Sequence, residues 1–235
     1  AYVNSLQIIN TTFTDCSSSY GGGVYATSIT TCVSFRTCVF EDCETVYYGG
    51  GIYFYSCPAD HETCLTGGNA TGEYVGVGSG VAVECSFTNC SATTSRDYYD
   101  GGGGVNWYNP PNGILFHSCL FKDCSAPQYG GAMNMYSISR PNTSTILVSN
   151  SFFDGSDLTS ASKNGYDVYL HGTSVRLSIK SFDNTVSSRN ADNRIYCLTT
   201  CGTYTQSWLP NGTSPLYYDR YVDCVDGGDV TGCGR

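Results

Sequence analysis

Hydrophobic and polar positions along this chain fall into a two-part phrase that recurs six times. The first half is a short strand with apolar residues at alternate positions, followed by Phe and often Cys: LQIINTTFTDC, VSFRTCVFEDC, VAVECSFTNC, ILFHSCLFKDC, ILVSNSFFDGS and VRLSIKSFDNT. The second half is a glycine-led strand: GGGVYAT, GGGIYFY, GGGVNWY, GGAMNMY, GYDVYLH and DNRIYCL. Alternation at period two predicts strands, and long helical periodicity is absent. Recurrence along the chain indicates one supersecondary unit stacked on copies of itself. With Phe13, Phe40, Phe87, Phe121, Phe153 and Phe182 as markers, the spacings are 27, 47, 34, 32 and 29. The long spacing holds a Gly-rich insertion over 57–79 with Cys57 and Cys64, expected to project as a loop.

Successive strand side chains point to opposite faces, so each phrase predicts which residues turn inward. In the first halves these are Leu6 and Ile8, Val33 and Phe35, Val81 and Val83, Ile114 and Phe116, Ile146 and Val148, and Leu177 and Ile179. In the second halves they are Val24 and Ala26, Ile52 and Phe54, Val105 and Trp107, Met133 and Met135, Val168 and Leu170, and Ile195 and Cys197. An all-β fold satisfies this pattern: a right-handed parallel β-helix of about six coils over residues 1–197, since parallel crossovers are overwhelmingly right-handed. Neighbouring coils would stack about 4.8 Å apart, with Phe40, Phe87 and Phe121 in one continuous column. The glycine runs belong at a corner where a Cβ is excluded. A tail over 198–235 breaks the repeat. Rich in aromatics (Trp208, Tyr217, Tyr218, Tyr221) and carrying Leu209 with Cys224 and Cys233, it is expected to be disulfide-pinned and to cover an end or face of the rod.

The pairing of F-x-x-C with GG-[AG]-[IVM] resembles the repeat of the polymorphic outer membrane proteins of chlamydiae, where Asn stands at the motif end. It is more similar to their cysteine-rich relatives on protists. The resemblance covers roughly residues 5–197 and implies a right-handed β-helix surface protein linked to adhesion.

Composition narrows the partners. The formal net charge is -9 with Lys+Arg 11, which argues against nucleic acid, because phosphate binding needs a concentrated basic face. No apolar run reaches the length of a membrane span, and the opening at Ala1 reads as a mature, processed form. The 14 cysteines fall mostly in close pairs without C-x2-C spacing or a supporting histidine cluster, which favours disulfides in an oxidising compartment over zinc. Pairing neighbours along the chain uses every one: Cys16–Cys32, Cys38–Cys43, Cys57–Cys64, Cys85–Cys90, Cys119–Cys124, Cys197–Cys201 and Cys224–Cys233. Bridges between successive coils, such as Cys16–Cys43, are the competing arrangement. Sequons at Asn10, Asn69, Asn89, Asn142 and Asn211 agree with an extracellular glycoprotein carrying N-linked glycans.

Candidate chemistry is sparse. Asp15, Asp42, Asn89 and Asp123 precede the corner cysteines, where turn chemistry accounts for them and a calcium or catalytic ladder is the alternative. His61, His117 and His171 lie in unrelated coils, and no nucleophile or phosphate-cradling motif is present. No catalytic residue, metal site or cofactor is therefore assigned, and a polysaccharide lyase or hydrolase ranks third among the functions. The outward positions of the second halves are the leading interaction surface: Tyr25, Tyr53, Asn106, Asn134, Tyr169 and Tyr196 at one phase, and Thr27, Tyr55, Tyr108, Tyr136, His171 and Leu198 at the next. Three readings are open for it: stacking that supports the sheet, burial by another subunit or by the tail, and carbohydrate binding. The leading expectation is a self-associating extracellular fibre or surface-coat subunit. A glycan- or host-binding adhesin is the alternative.

Overall fold

The computed structural model describes residues 5–29, 32–55, 80–94, 100–108, 114–136, 145–159, 167–171, 174–182, 195–198, 203–208, 220–223 and 228–229. The insertion over 57–79 lies outside them. The described residues form strands joined by turns, with no helix among them.

Repeat one supplies β1 (Ser5–Ile9), β2 (Thr12–Thr14), β3 (Ser17–Tyr20) and β4 (Val24–Thr27). Repeat two supplies β5 (Cys32–Arg36), β6 (Val39–Glu41), β7 (Glu44–Tyr48) and β8 (Ile52–Tyr55). The third follows with β9 (Gly80–Val83), β10 (Ser86–Thr88), β11 (Ser91–Ala92) and β12 (Val105–Tyr108), and the fourth with β13 (Ile114–His117), β14 (Leu120–Lys122), β15 (Ser125–Ala126) and β16 (Met133–Tyr136). In the fifth, β17 (Thr145–Asp154) runs through the first two positions and precedes β18 (Asp157–Leu158) and β19 (Val168–His171). The sixth holds β20 (Ser174–Phe182) and β21 (Ile195–Leu198), and β22 (Thr203–Trp208), β23 (Arg220–Asp223) and β24 (Gly228–Asp229) come after it.

Like strands stack on like. A 12-stranded sheet collects the first and second strands of each repeat, a 5-stranded sheet the third, and a 7-stranded sheet the last. Pairing is parallel throughout except where β24 meets β21 and β23 meets β22. Part of the tail therefore extends two sheets: β22 adds to β20 in parallel, and β23 and β24 add antiparallel strands at the same end. Strands β1, β2, β3 and β4 each pair on one side only among the described residues.

The marker phenylalanines are in register from Phe13 through Phe40, Phe87, Phe121 and Phe153 to Phe182. The rings from Phe13 to Phe153 stack face to face at 4.8–4.9 Å, tilted by no more than 7°. Around this column sit Phe35, Phe54, Trp107, Phe116 and Met135, all buried. The inward pairs of the second halves keep their register through all six repeats.

One first-half assignment differs from expectation by phase and another by register. In repeat three, Gly80 and Ala82 occupy the column of Val33/Phe35 and Ile114/Phe116, and Val83 aligns with Arg36 and His117. In repeat six the phase holds and the register moves by two: Val175 and Leu177 align with Ile146 and Val148, and Ile179 with Ser151. Distance from the marker Phe decides the phase: Ile8, Phe35, Ala82 and Phe116 each stand five residues before it. A one-residue slip would turn the whole strand over.

Two corners need left-handed backbone. Asn10, Thr37, Glu84 and Ser118 form one column at positive φ, and Asp15, Asp42, Asn89, Asp123 and Gly155 form the next, at φ between 51° and 68°. Asn and Asp tolerate this region better than other side chains because their short polar groups bond locally. The acidic column is thus corner structure, as turn chemistry predicts, with an Asn89 to Asp42 side-chain hydrogen bond linking two repeats.

Candidate functional site

Tyrosines gather where the glycine corner leads into the last strand of each repeat. Tyr25 stacks on Tyr53 at 5.3 Å and 7°. At the next outward position Tyr55 stacks on Tyr108 at 5.0 Å and 3°, and Tyr108 on Tyr136 at 6.2 Å and 9°. Tyr53 and Tyr55 join the two columns edge to face. In-register parallel pairing produces this geometry, since it superimposes like side chains one repeat apart.

The expected surface is only partly exposed. The second column stays open, with Thr27 and Tyr55 exposed and Tyr108 and Tyr136 half-buried. In the first column, among the side chains described, Tyr25 is exposed, whereas Tyr53, Asn106, Asn134 and Tyr169 are buried. These four are corrected from surface to interior. They are covered by the residues that lead into the glycine corner. Tyr20 and Tyr48 pack on Tyr53, Asn106 Nδ2 donates to Gly101 O at 3.1 Å, and Tyr129 packs on Tyr169 at 4.7 Å. His171 and Tyr196 occupy the expected strand positions in β19 and β21.

Tyr20, Tyr48 and Tyr129 were absent from the sequence-based surface, as was Tyr47, which packs on Tyr20. A usable signal existed: the first three immediately precede the glycine run in SYGGG, YYGGG and QYGGA. The assembled surface is therefore a connected set of tyrosines centred on Tyr20, Tyr25, Tyr48, Tyr53 and Tyr55.

The cysteines are arranged by column. In this structure Cys38–Cys43, Cys85–Cys90, Cys119–Cys124 and Cys16–Cys32 are not bridged. The pairs Cys38–Cys43, Cys85–Cys90 and Cys119–Cys124 each bracket a buried Phe, which separates their members into different columns. One column runs Thr11, Cys38, Cys85, Cys119, Ser151, and the other Cys16, Cys43, Cys90, Cys124, Ser156, as the marker register dictates. The thiols donate to carbonyls of the preceding repeat: Cys38 to Ile8 O at 3.4 Å, Cys43 to Phe13 O at 3.4 Å, Cys90 to Phe40 O at 3.4 Å, Cys119 to Ala82 O at 3.3 Å and Cys124 to Phe87 O at 3.4 Å. Ser and Thr at the column ends fit the same demand for a small side chain with a hydrogen to give. The side chains of Cys32 and Cys197 are not described, and Cys57, Cys64, Cys201, Cys224 and Cys233 lie outside the described residues.

Hydrogen bonding with Cys90, then burial, pushes the Cys43 thiol far above its usual range. Cys90 is raised by its hydrogen bond with Cys124, Cys38 by burial, and the Tyr53 phenol by burial and then by Tyr48. Cys85 runs the other way, lowered by the Cys119 hydrogen bond, and offsets part of this. Unfolded thiols ionise near 9.0 and phenols near 10.0, while the raised groups keep their protons in the fold. Above those values the native state binds more protons than the unfolded chain, so stability falls as pH rises. Below them these groups leave it flat. Urea midpoints should thus be level from about pH 7 to about 8.5 and decline steadily beyond about pH 9. A midpoint that rises with alkali would contradict the buried-thiol arrangement.

Sequons Asn10 and Asn89 are exposed at left-handed corners, whereas Asn69, Asn142 and Asn211 lie outside the described residues, as does His61. The side chains of His117 and His171 are not described. Among the described residues no group of three or more His, Cys, Asp or Glu could hold a metal ion, and no helix is long and apolar enough to cross a membrane. Searches against family models, curated proteins and solved structures find no match to this chain.

Proposed function

We propose that the chain is a right-handed parallel β-helix of about six coils and a structural subunit of an extracellular, N-glycosylated surface layer, associating with further copies of itself through the tyrosine surface of its first two coils. One observation carries this reading. The large apolar side chains most open to solvent among the described residues are Ile9, Tyr20, Tyr25, Val46 and Tyr55, and every one belongs to repeats one and two. Exposed apolar side chains gathered on one part of a surface are what self-association buries. The resemblance to cysteine-rich protist surface proteins supports the location, and the exposed Asn10 and Asn89 leave room for glycans.

Ring geometry weighs against the adhesin alternative. Sugars bind aromatic residues through free ring faces, but Tyr108 lies between Tyr55 and Tyr136, and Tyr25 and Tyr55 each give one face to a neighbouring ring. Sedimentation velocity across a concentration series tests the proposal. Wild type should shift to larger species as concentration rises, and the double variant Tyr25→Lys, Tyr55→Lys should stay monomeric with an unchanged circular dichroism spectrum. Wild type that remains monomeric at the highest concentration, together with glycan-array binding lost in the same variant, would replace the structural reading by the adhesin one.

A further inference from the structure

We propose that the column Cys16–Cys43–Cys90–Cys124 is a site of disulfide formation between successive repeats, entered from Cys16, and that the neighbouring column Cys38–Cys85–Cys119 stays reduced in the folded protein. The two columns flank the same phenylalanine stack and share its register, but differ in two respects. The first is the number of cysteines in succession. Backbone bonds hold the column of Cys16 in strict register: Glu44 N donates to Cys16 O at 2.8 Å, Ser91 N to Cys43 O at 2.9 Å and Ser125 N to Cys90 O at 2.9 Å. Parallel neighbours in such a ladder lie about 4.8 Å apart, inside the Cα separation a disulfide spans. The column holds four cysteines in unbroken succession, so it divides into pairs. The other column holds three between Thr11 and Ser151, so pairing always leaves one over.

Access is the second difference. Cys16 is half-buried, whereas Cys38, Cys85 and Cys119 are no more than 1% exposed. A low-molecular-weight disulfide such as oxidised glutathione can reach Cys16 and not the closed column. The Cys16 thiolate attacks one sulfur of that disulfide, forming a mixed disulfide and releasing one glutathione thiolate. Cys43 then loses its proton to solvent and attacks the Cys16 sulfur, forming Cys16–Cys43 and releasing the second glutathione. Two protein thiols are oxidised and one small disulfide is reduced to two thiols. Cys16 and Cys43 occupy successive positions of one column, and burial of Cys43 makes the second step the slow one.

The test is peptide mapping by mass spectrometry. Protein reduced under native conditions is incubated with oxidised glutathione, alkylated and digested without reduction. The expected result is a linked peptide joining Cys16 to Cys43, with Cys38, Cys85 and Cys119 alkylated only after denaturation. Cys16→Ser should abolish the link and leave Cys43 a thiol, while Cys38→Ser should leave it unchanged. A Cys16–Cys32 or Cys38–Cys43 link, glutathione retained on Cys16 with Cys43 free, or no reaction at Cys16 would each overturn the proposal. The outcome is independent of whether copies of the chain associate.

Discussion

Phe87→Ala is expected to lower the unfolding free energy by about 3–5 kcal/mol, the range for truncating a fully buried aromatic residue. Phe87 has no exposure and lies between Phe40 at 4.9 Å and Phe121 at 4.8 Å, parallel to both within 4°. Its removal deletes buried area and two stacked contacts, each worth about 0.5–1.5 kcal/mol beyond burial. The gap cannot close readily. Strand β10 is paired on both sides, and the floor beneath the ring is Gly51, where even an added Cβ would stand 2.8 Å from Phe87 Cδ1. In a stack whose repeats contact only their neighbours, the loss also uncouples the two halves, so the transition should broaden as well as shift. Phe13→Ala supplies the comparison. Phe13 is half-buried and, among the described residues, stacks on Phe40 alone, so its truncation should cost distinctly less. Urea unfolding followed by tyrosine and tryptophan fluorescence separates them. Equal losses at the two positions would mean that the phenylalanine column is not the core of the fold.

How far this architecture could be read beforehand depends on which force places each residue. The phenylalanine column was legible because one large apolar residue at constant phase has one use in a stack of repeats. The second-half inward pairs were legible for the same reason. Val81 and Val83 misled because hydrophobicity alone does not set phase. Both neighbours of Ala82 are valines, and only the distance to Phe87 shows that the small residue faces inward. The tyrosine surface was half legible. Alternation places Tyr25, Tyr53 and Asn106 on the outer side of a strand, but outer does not mean exposed when a neighbouring turn folds back over it. That covering arises from residues before the glycine corner, which period-two counting does not include. The cysteines were partly legible. Closeness along the chain favours local bridges, yet a buried Phe stands between Cys38 and Cys43, Cys85 and Cys90, and Cys119 and Cys124, and the parallel register brings each of these to its counterpart in the next repeat.

Gly102→Ala is expected to prevent the native fold or to destabilise it by more than about 3 kcal/mol, whereas Gly155→Asn should change stability by less than about 1 kcal/mol. The two glycines share a φ of +68°, so conformation alone predicts the same penalty for both, about 1–2 kcal/mol for a side chain in the left-handed region and less for Asn. What surrounds them differs. A Cβ on Gly102 would stand 2.1 Å from the carbonyl oxygen of Val105, and that backbone is held by pairing with Ile52 on one side and Met133 on the other. Gly49 and Gly130, in the same column, meet the carbonyls of Ile52 and Met133 in the same way. The nearest atom to a Cβ on Gly155 is instead Asp123 Oδ1, the tip of an exposed side chain that can swing aside. Its column already carries Asp15, Asp42, Asn89 and Asp123 at nearly the same φ, so that corner accommodates side chains four times over. Soluble yield and thermal unfolding of the two variants decide the matter. If Gly102→Ala folds as well as Gly155→Asn, the glycine corner is a matter of backbone freedom and not of close packing between repeats.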